Sequence, residues 1–277
     1  MRKLLSILFI LVYGWATPLW ATAQMAGSTV PLPNDIAAIK KANVLIVAMT
    51  KKDVPPFFSG EGDNIHGLDV EIAKRIGTLL GVPVQFKRDA ESFAEVVEQI
   101  REGKADIAVS KLSVTGPRLQ VVRFSDPYIK LRQSLVINRL WLSQNSQGKE
   151  TYQVIRDFNG KISFIRNSSY DTFARVNFPN AQFLPEDKWD VIIEKVIRGD
   201  IAAAYRDEFE IKKISFEKPE AAISTKSITI SDSVDNIAVA VNAKSIQLLS
   251  IVNYVIKNEY NNIDTKKLMD RYKAEKK

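Results

Sequence analysis

The 277-residue chain is 45% hydrophobic and 26% charged, with a formal net charge of +7, one histidine and no cysteine. Disulfides and cysteine ligands are therefore excluded, and the length suffices to bury one large core or two smaller ones. Acidic and basic residues are interspersed, and the one dense basic run is the terminal Lys273–Lys277, so the excess charge reads as a solvated surface rather than a nucleic-acid site.

The chain starts with Arg2 and Lys3, an apolar run Leu4–Tyr13, and then Ala21-Thr22-Ala23. A charged start, an apolar middle and an A-x-A site predict a signal peptide over residues 1–23, cut after Ala23. Gly14 and Pro18 interrupt the apolar run, which falls short of the roughly 20 residues a spanning helix needs. Cleavage would leave 254 residues with a formal charge of +5, exported to the periplasm without a cysteine-linked lipid anchor.

Ala42–Met49 reads as a buried strand. Val70, Ala73, Ile76 and Leu80 follow at helical spacing, so Asp69–Leu80 is predicted helical and stopped by Gly81. Strand Val82–Phe86 comes next, then a helix capped by Ser92 with Glu95 at the capping-box position, then strand Ala105–Ser110. The pattern recurs as strand Lys161–Ile165, helix Tyr170–Phe178, strand Ala181–Leu184, helix Lys188–Arg198 and strand Ile201–Tyr205. Two β-α-β-α-β runs predict an α/β fold with two parallel-rich sheets and flanking helices. Leu135–Asn138 and Asn236–Val241 read as further strands, and Ser245–Tyr260 and Thr265–Tyr272 as closing helices. The expected path crosses to a second lobe near Lys130–Gln133 and returns near Asp235. This makes residues 24–131 plus 236–277 one lobe, residues 132–235 the other, and a two-strand hinge between them.

The strand ending at Ser110 runs straight into Lys111, Ser113, Thr115 and Arg118. Polar residues at the carboxyl end of a strand are where open α/β sheets hold ligands. This set offers hydroxyls and two cations but no base and no nucleophile pair, which suits a small anion such as a carboxylate. No metal-ligand cluster is visible, and no cofactor is expected.

In order, VPPFFSGEGDNIHGLDVEIAKRIGTLLG, IREGKADIAVSKLSVTGPRLQVVRFSDPY, GKISFIRNSSYDTFARVNFPNA and IRGDIAAAYRDEFE resemble the periplasmic solute-binding proteins of polar amino-acid ABC transporters. The resemblance spans nearly all of the chain after residue 23. It implies the two-lobed periplasmic binding protein fold of type II. It also implies a monomer that captures an amino acid in its interlobe cleft and delivers it to a membrane ABC permease. Arg118 matches the arginine that pairs with the ligand α-carboxylate, and Ser113 a residue that helps hold the same ligand. Ser110 and Lys111 fall at the first-lobe pocket wall. Ser168 and Ser169 match the second-lobe helix start, and Asp207 the carboxylate that accepts the ligand ammonium.

Each position also has a plainer use: Asp207 and the two serines as helix caps, and Phe57 and Phe58 as core rather than a lid over the ligand. The chain departs from the pattern at Val54, where many members carry an aromatic, at Asn167, where many carry Gly, and at Lys111, where many carry Gly or Ser. Asn tolerates a left-handed backbone. If Lys111 points inward, an unpaired buried cation would call for a second negative group on the ligand, favouring glutamate, aspartate or another dicarboxylate. If it snorkels to solvent, that preference disappears. Lys51, Lys52, Asp53 and Arg166 are rim candidates.

A cyclohexadienyl dehydratase-like enzyme on the same fold is the principal alternative, and needs a proton donor in the pocket. The sole histidine, His66, precedes Gly67 and a helix, where a loop or cap role is expected. A ligand-sensing module is a further alternative. A lytic transglycosylase would need a catalytic domain after the binding lobes, where little chain remains. The expectation is therefore a binding protein rather than an enzyme.

Overall fold

Alternating apolar runs and glycine stops produce two α/β units. The computed structural model describes residues 31–276, so the predicted signal peptide lies outside the described residues. The first unit runs α1 (Asn34–Ala42), β1 (Leu45–Thr50), α2 (Leu68–Leu80), β2 (Val84–Ala90), α3 (Phe93–Arg101), β3 (Ile107–Ala108), α4 (Gly116–Leu119) and β4 (Val122–Phe124). The second runs β5 (Ile129–Asn138), α5 (Arg139–Ser146), α6 (Thr151–Arg156), β6 (Lys161–Ser163), α7 (Ser169–Asn177), β7 (Gln182–Phe183), α8 (Trp189–Arg198), β8 (Ala203–Asp207), α9 (Glu208–Glu217) and β9 (Thr225–Ile237). The chain then rejoins the first sheet with β10 (Ala240–Asn242) and closes with α10 (Ile246–Glu259) and α11 (Thr265–Glu275).

Local chemistry sets the boundaries. The α2 stripe of Val70, Ala73, Ile76 and Leu80 is buried as predicted, and Gly81 ends the helix in a left-handed conformation. Gly67, at the start of α2, has φ 122°, and a Cβ there would meet the Phe57 carbonyl oxygen at 2.4 Å, so only glycine fits. Ser92 caps α3 by accepting from Glu95 N–H at 3.2 Å. The Glu95 carboxylate reaches back to Glu91 N–H rather than Ser92 N–H, one residue earlier than a capping box requires. The predicted strand at Ala42 starts later, because α1 runs through Ala42 and Asn43 turns the chain at φ 52°.

The first sheet has strand order β2-β1-β3-β10-β4, and the second β7-β6-β8-β5-β9. In each, the β-α-β ladder supplies parallel pairs (β1 with β2 and β3; β6 with β7 and β8), and the strands that enter from the other unit pair antiparallel. Strands β5 and β9 lie side by side from Ile129↔Ile237 to Asn138↔Thr225, with an irregularity beyond Arg132. Both connections between the sheets therefore run through one antiparallel pair.

Each sheet is packed on both faces. Ile76, Leu80, Val252 and Leu268 cover one face of the first sheet, and Val96, Val97 and Ile100 of α3 the other. The second sheet is covered by Val154, Phe158 and Tyr170 on one face and by Ile192, Val196 and Ile211 on the other. Phe209, at the start of α9, seats in the core of the first unit, edge-on to Phe57 with ring centroids 5.9 Å apart. The two units thus share apolar contact close to the polar residues between them.

Candidate functional site: the cleft between the sheets

The loop after β3 and the carboxyl end of β8 meet. Lys111 takes φ 47°, a left-handed conformation unusual for a side chain of its size. Its N–H donates to Asp69 Oδ2 at 2.7 Å, and Asp69 Oδ1 accepts from the Tyr128 hydroxyl at 2.8 Å. Asp69 is wholly buried, and burial pushes its carboxyl up to about 7 despite those two donors. The carboxylate thus holds the backbone turn that aims Lys111.

Lys111 points inward. Its Nζ donates to Asp207 Oδ2 at 2.9 Å and to Glu210 Oε1 at 2.8 Å, with all three side chains at most 5% exposed. The ammonium also lies 5.0 Å from the centroid of the Phe57 ring and 5.5 Å from that of Phe209. Burial opposes its charge, but Asp207 and Glu210 outweigh it and hold the lysine above its ordinary value. Burial likewise opposes the Glu210 charge, and Arg206, Lys111 and Lys213 together hold that carboxyl well below the usual range.

This arrangement corrects the expectation that an inward Lys111 is unpaired. The protein itself supplies two carboxylates, so the physical reason for requiring an acidic ligand is gone. Asp207 is similarly committed, since its Oδ1 caps α9 by accepting from Glu210 N–H at 3.1 Å. Both its oxygens are engaged by the protein.

Arg118 behaves differently. It is half-buried, and the one side-chain hydrogen bond it makes among the described residues runs from Nη1 to the Ser113 carbonyl at 2.9 Å. Burial lowers its pKa and the charge of Asp235 partly restores it, so those two groups lie within electrostatic reach. Arg118 lines a cleft of about 640 Å³ with Thr115, Asn167, Ser168 and Ser169, a size ordinary for a small-molecule site. The start of α7 faces this cleft. Ser168 caps it, accepting from Tyr170 N–H at 3.2 Å and donating to the Ile165 carbonyl at 2.6 Å. Asn167 precedes it at φ 56°, the left-handed backbone that its residue type tolerates.

A smaller chamber of about 30 Å³, room for about two waters, continues inward past Ser168 and Ser169. Its wall includes Lys111, Ser113, Tyr170, Asp207 and Asp235. Ser113 Oγ spans the cleft, 2.8 Å from Ser169 Oγ, and donates to Asp235 Oδ2 at 3.0 Å.

Of the residues singled out from the sequence, Lys111, Ser113, Arg118, Ser168, Ser169 and Asp207 therefore converge on one interlobe cleft. Ser110 does not line it: it is fully buried, and its Oγ accepts from Thr50 N–H at 3.1 Å. Phe57 and Phe58 are fully buried core residues rather than a lid. The rim candidates Lys51, Asp53 and Arg166 pair with Glu91, Arg88 and Asp187. Sequence reading missed Asp69, Glu210 and Asp235. The available signal was a carboxylate inside an apolar context: Asp69 beside Leu68 and Val70, Glu210 between Phe209 and Ile211, Asp235 two residues before Ile237. Among the described residues no cluster of three or more potential metal ligands occurs, and no helix is long and apolar enough to cross a membrane.

Two mixed sheets linked by paired strands, each flanked by helices, with a polar cleft between them, define a two-lobed binding protein of the periplasmic type II fold. The chain belongs to the bacterial extracellular solute-binding proteins, family 3, whose model matches residues 45–275. It is similar to the arginine-binding extracellular protein ArtP of Bacillus subtilis, with 29% identity over 116 residues, 42% of this chain and 41% of that protein. It is also similar to the membrane-bound lytic murein transglycosylase F of Saccharophagus degradans, 26% identical over 151 residues, 54% of this chain and 28% of that protein. The chain thus spans well under half the length of these two relatives. Among solved structures, it superposes on the amino acid ABC transporter substrate-binding protein AbpA from Streptococcus pneumoniae bound to L-arginine. There the TM-score is 0.65 at 25% identity, covering 86% of this chain and 98% of that one. A mutant of ArgBP from T. maritima gives a TM-score of 0.64 at 22% identity, covering 87% and 99%.

Proposed function

We propose that this chain is an exported substrate-binding protein that captures an amino acid between its two lobes and delivers it to an ABC permease. The observation that carries the reading is Arg118. Its half-buried guanidinium spends one donor on the protein and turns toward a cleft large enough for a small solute, opposite a helix N-terminus. A planar guanidinium grips a carboxylate with two parallel bonds, and a helix N-terminus favours the same charge. The sheet-linking pair β5 and β9 is suited to act as the hinge, with residues 24–131 and 236–277 as one lobe and 132–235 as the other. Lys111 is neutralised by its own carboxylates, so a zwitterion without an acidic side chain satisfies the cleft as well as glutamate or aspartate does. The arginine-binding relatives are consistent with that wider choice.

The test is a thermal-shift titration of the purified protein with each common L-amino acid and with dicarboxylates. A ligand bound by the native state alone raises the Tm by mass action. A dose-dependent rise with at least one amino acid that R118A abolishes supports the proposal. No rise with any of them, or a rise that R118A leaves intact, overturns it.

A second reading rests on Asp235, whose carboxyl is pushed up to about 7 by burial and by neighbouring Asp207. Set in the wall of the inner chamber, it is the kind of proton donor that a dehydratase of cyclohexadienyl carboxylates would require. Aromatisation of such substrates, followed by ultraviolet absorbance, separates this reading from simple binding.

A further inference from the structure

We propose that Asp235, and not Asp207, receives the ammonium group of the bound amino acid. This assignment rests on the reading of the cleft as an amino-acid site, and it names the residue that distinguishes an amine from any other carboxylate-bearing solute.

The argument is one of satisfied and unsatisfied atoms. Asp207 is saturated: Oδ2 holds the Lys111 ammonium and Oδ1 holds a helix N–H. An incoming amine would have to displace a buried ion pair to reach it. Asp235 is only 1% exposed, and Ser113 supplies the one hydrogen bond it receives, at Oδ2. Its Oδ1 and the neighbouring Tyr170 hydroxyl are both buried without a hydrogen-bond partner of good geometry among the described residues, although the hydroxyl lies near enough to favour the charged carboxylate. A buried acceptor left unmade is costly, and both orphaned groups belong to the wall of the same small chamber.

The geometry fits a zwitterion. The inner chamber of about 30 Å³ admits a group the size of an ammonium but not a whole amino acid. The adjoining cleft at Arg118 has room for the carboxylate and side chain, and Ser168 and Ser169 line both spaces. The Asp235 charge reaches Arg118 across that junction, as expected of groups reading adjacent ends of one small molecule. An arriving ammonium would donate to Oδ1 and compensate the carboxylate. Asp235 lies on β9, paired with Leu131 of β5, so its backbone is held by the sheet. Ser113 fixes the side chain.

Isothermal titration calorimetry on the purified protein with matched pairs tests this: L-arginine against 5-guanidinopentanoate, L-glutamate against glutarate, L-alanine against propanoate. In each pair the members differ at the α-amine. The wild type is expected to bind at least one amino acid about ten- to hundredfold more tightly than its partner, the worth of a charged hydrogen bond. D235N should bring that ratio close to one while leaving the des-amino affinity in place. S113A, which frees Asp235 to turn, should reduce the ratio part of the way and serves if D235N does not fold. A ratio that survives in D235N, or in S113A should D235N not fold, overturns the assignment. So does one that D207N abolishes and D235N leaves alone, or a wild type that binds both members of every pair equally. A wild type that binds no member of any pair overturns the proposed function, and this assignment with it.

Discussion

Two cations stand seven residues apart in the segment after β3 and meet opposite fates. Lys111 is buried against Asp207 and Glu210 at 2.9 and 2.8 Å, while Arg118 has one bond to a backbone carbonyl and an open cleft in front of it. Both point between the lobes, so direction alone does not identify a ligand contact. What separates them is whether the protein itself provides the counter-charge. A cation answered by two carboxylates of the opposite lobe joins the lobes; a cation left with spare donors can grip something that arrives.

The largest effect on stability should come from K111A. It strands Asp207 in a buried site and leaves Glu210 with only the more distant Arg206 and Lys213, and removing one partner from such a cluster costs about 3–5 kcal/mol. Urea unfolding of K111A measures this directly. Replacing all three groups with K111M/D207N/E210Q should recover much of the loss, and a triple variant no better than K111A would show that the cluster is not the cause. R118A should unfold at nearly the same urea concentration as the wild type but lose amino-acid affinity by about a hundredfold, since truncating one side of a buried charged contact costs about 2–5 kcal/mol. A large stability loss in R118A with affinity retained would reverse the comparison.

A third effect concerns pH. The Asp235 carboxyl is raised from its ordinary 3.8 to about 7, so the folded state holds a proton that the unfolded state has released. Its contribution to stability is full below about pH 4 and is lost as pH rises through about 7. The stability of the wild type relative to D235N should therefore fall between those values, read from urea midpoints at pH 4.5, 6 and 8. A difference independent of pH breaks the prediction. The smallest effect should follow K51A, because the Lys51–Glu91 pair is 64% and 68% exposed. Its unfolding midpoint should match that of the wild type, in contrast to K111A.

Much of the fold was legible because it rests on local chemistry. The stripe of α2, the Ser92 cap, and the glycine stops at Gly81 and Gly199 each follow from residues within a turn or two of one another. Strand β9 was not anticipated along its length, because TKSITISDSVDNI carries few apolar residues and its pairing partner lies about 100 residues away in β5. The cleft was legible on the Arg118 side for a related reason: Ser113, Thr115 and Arg118 sit in one short run after an apolar strand. Lys111 was misjudged because its partners are 96 and 99 residues further along, and no local signal announces them.

The sequence by itself determined the α/β class, the two recurring units, the family resemblance and the position of the polar segment that carries Arg118. Each depends on spacing, capping and composition over short stretches, where one residue constrains its near neighbours. Only the tertiary structure decided which charges are spent within the protein. Asp207 and Glu210 were brought to Lys111, Ser113 to Asp235, and Asp69 to the turn that aims Lys111, all across separations of 40 residues or more. Charge neutralisation acts through space, so a buried carboxylate can answer any cation the fold brings to it, however far apart the two stand in the chain.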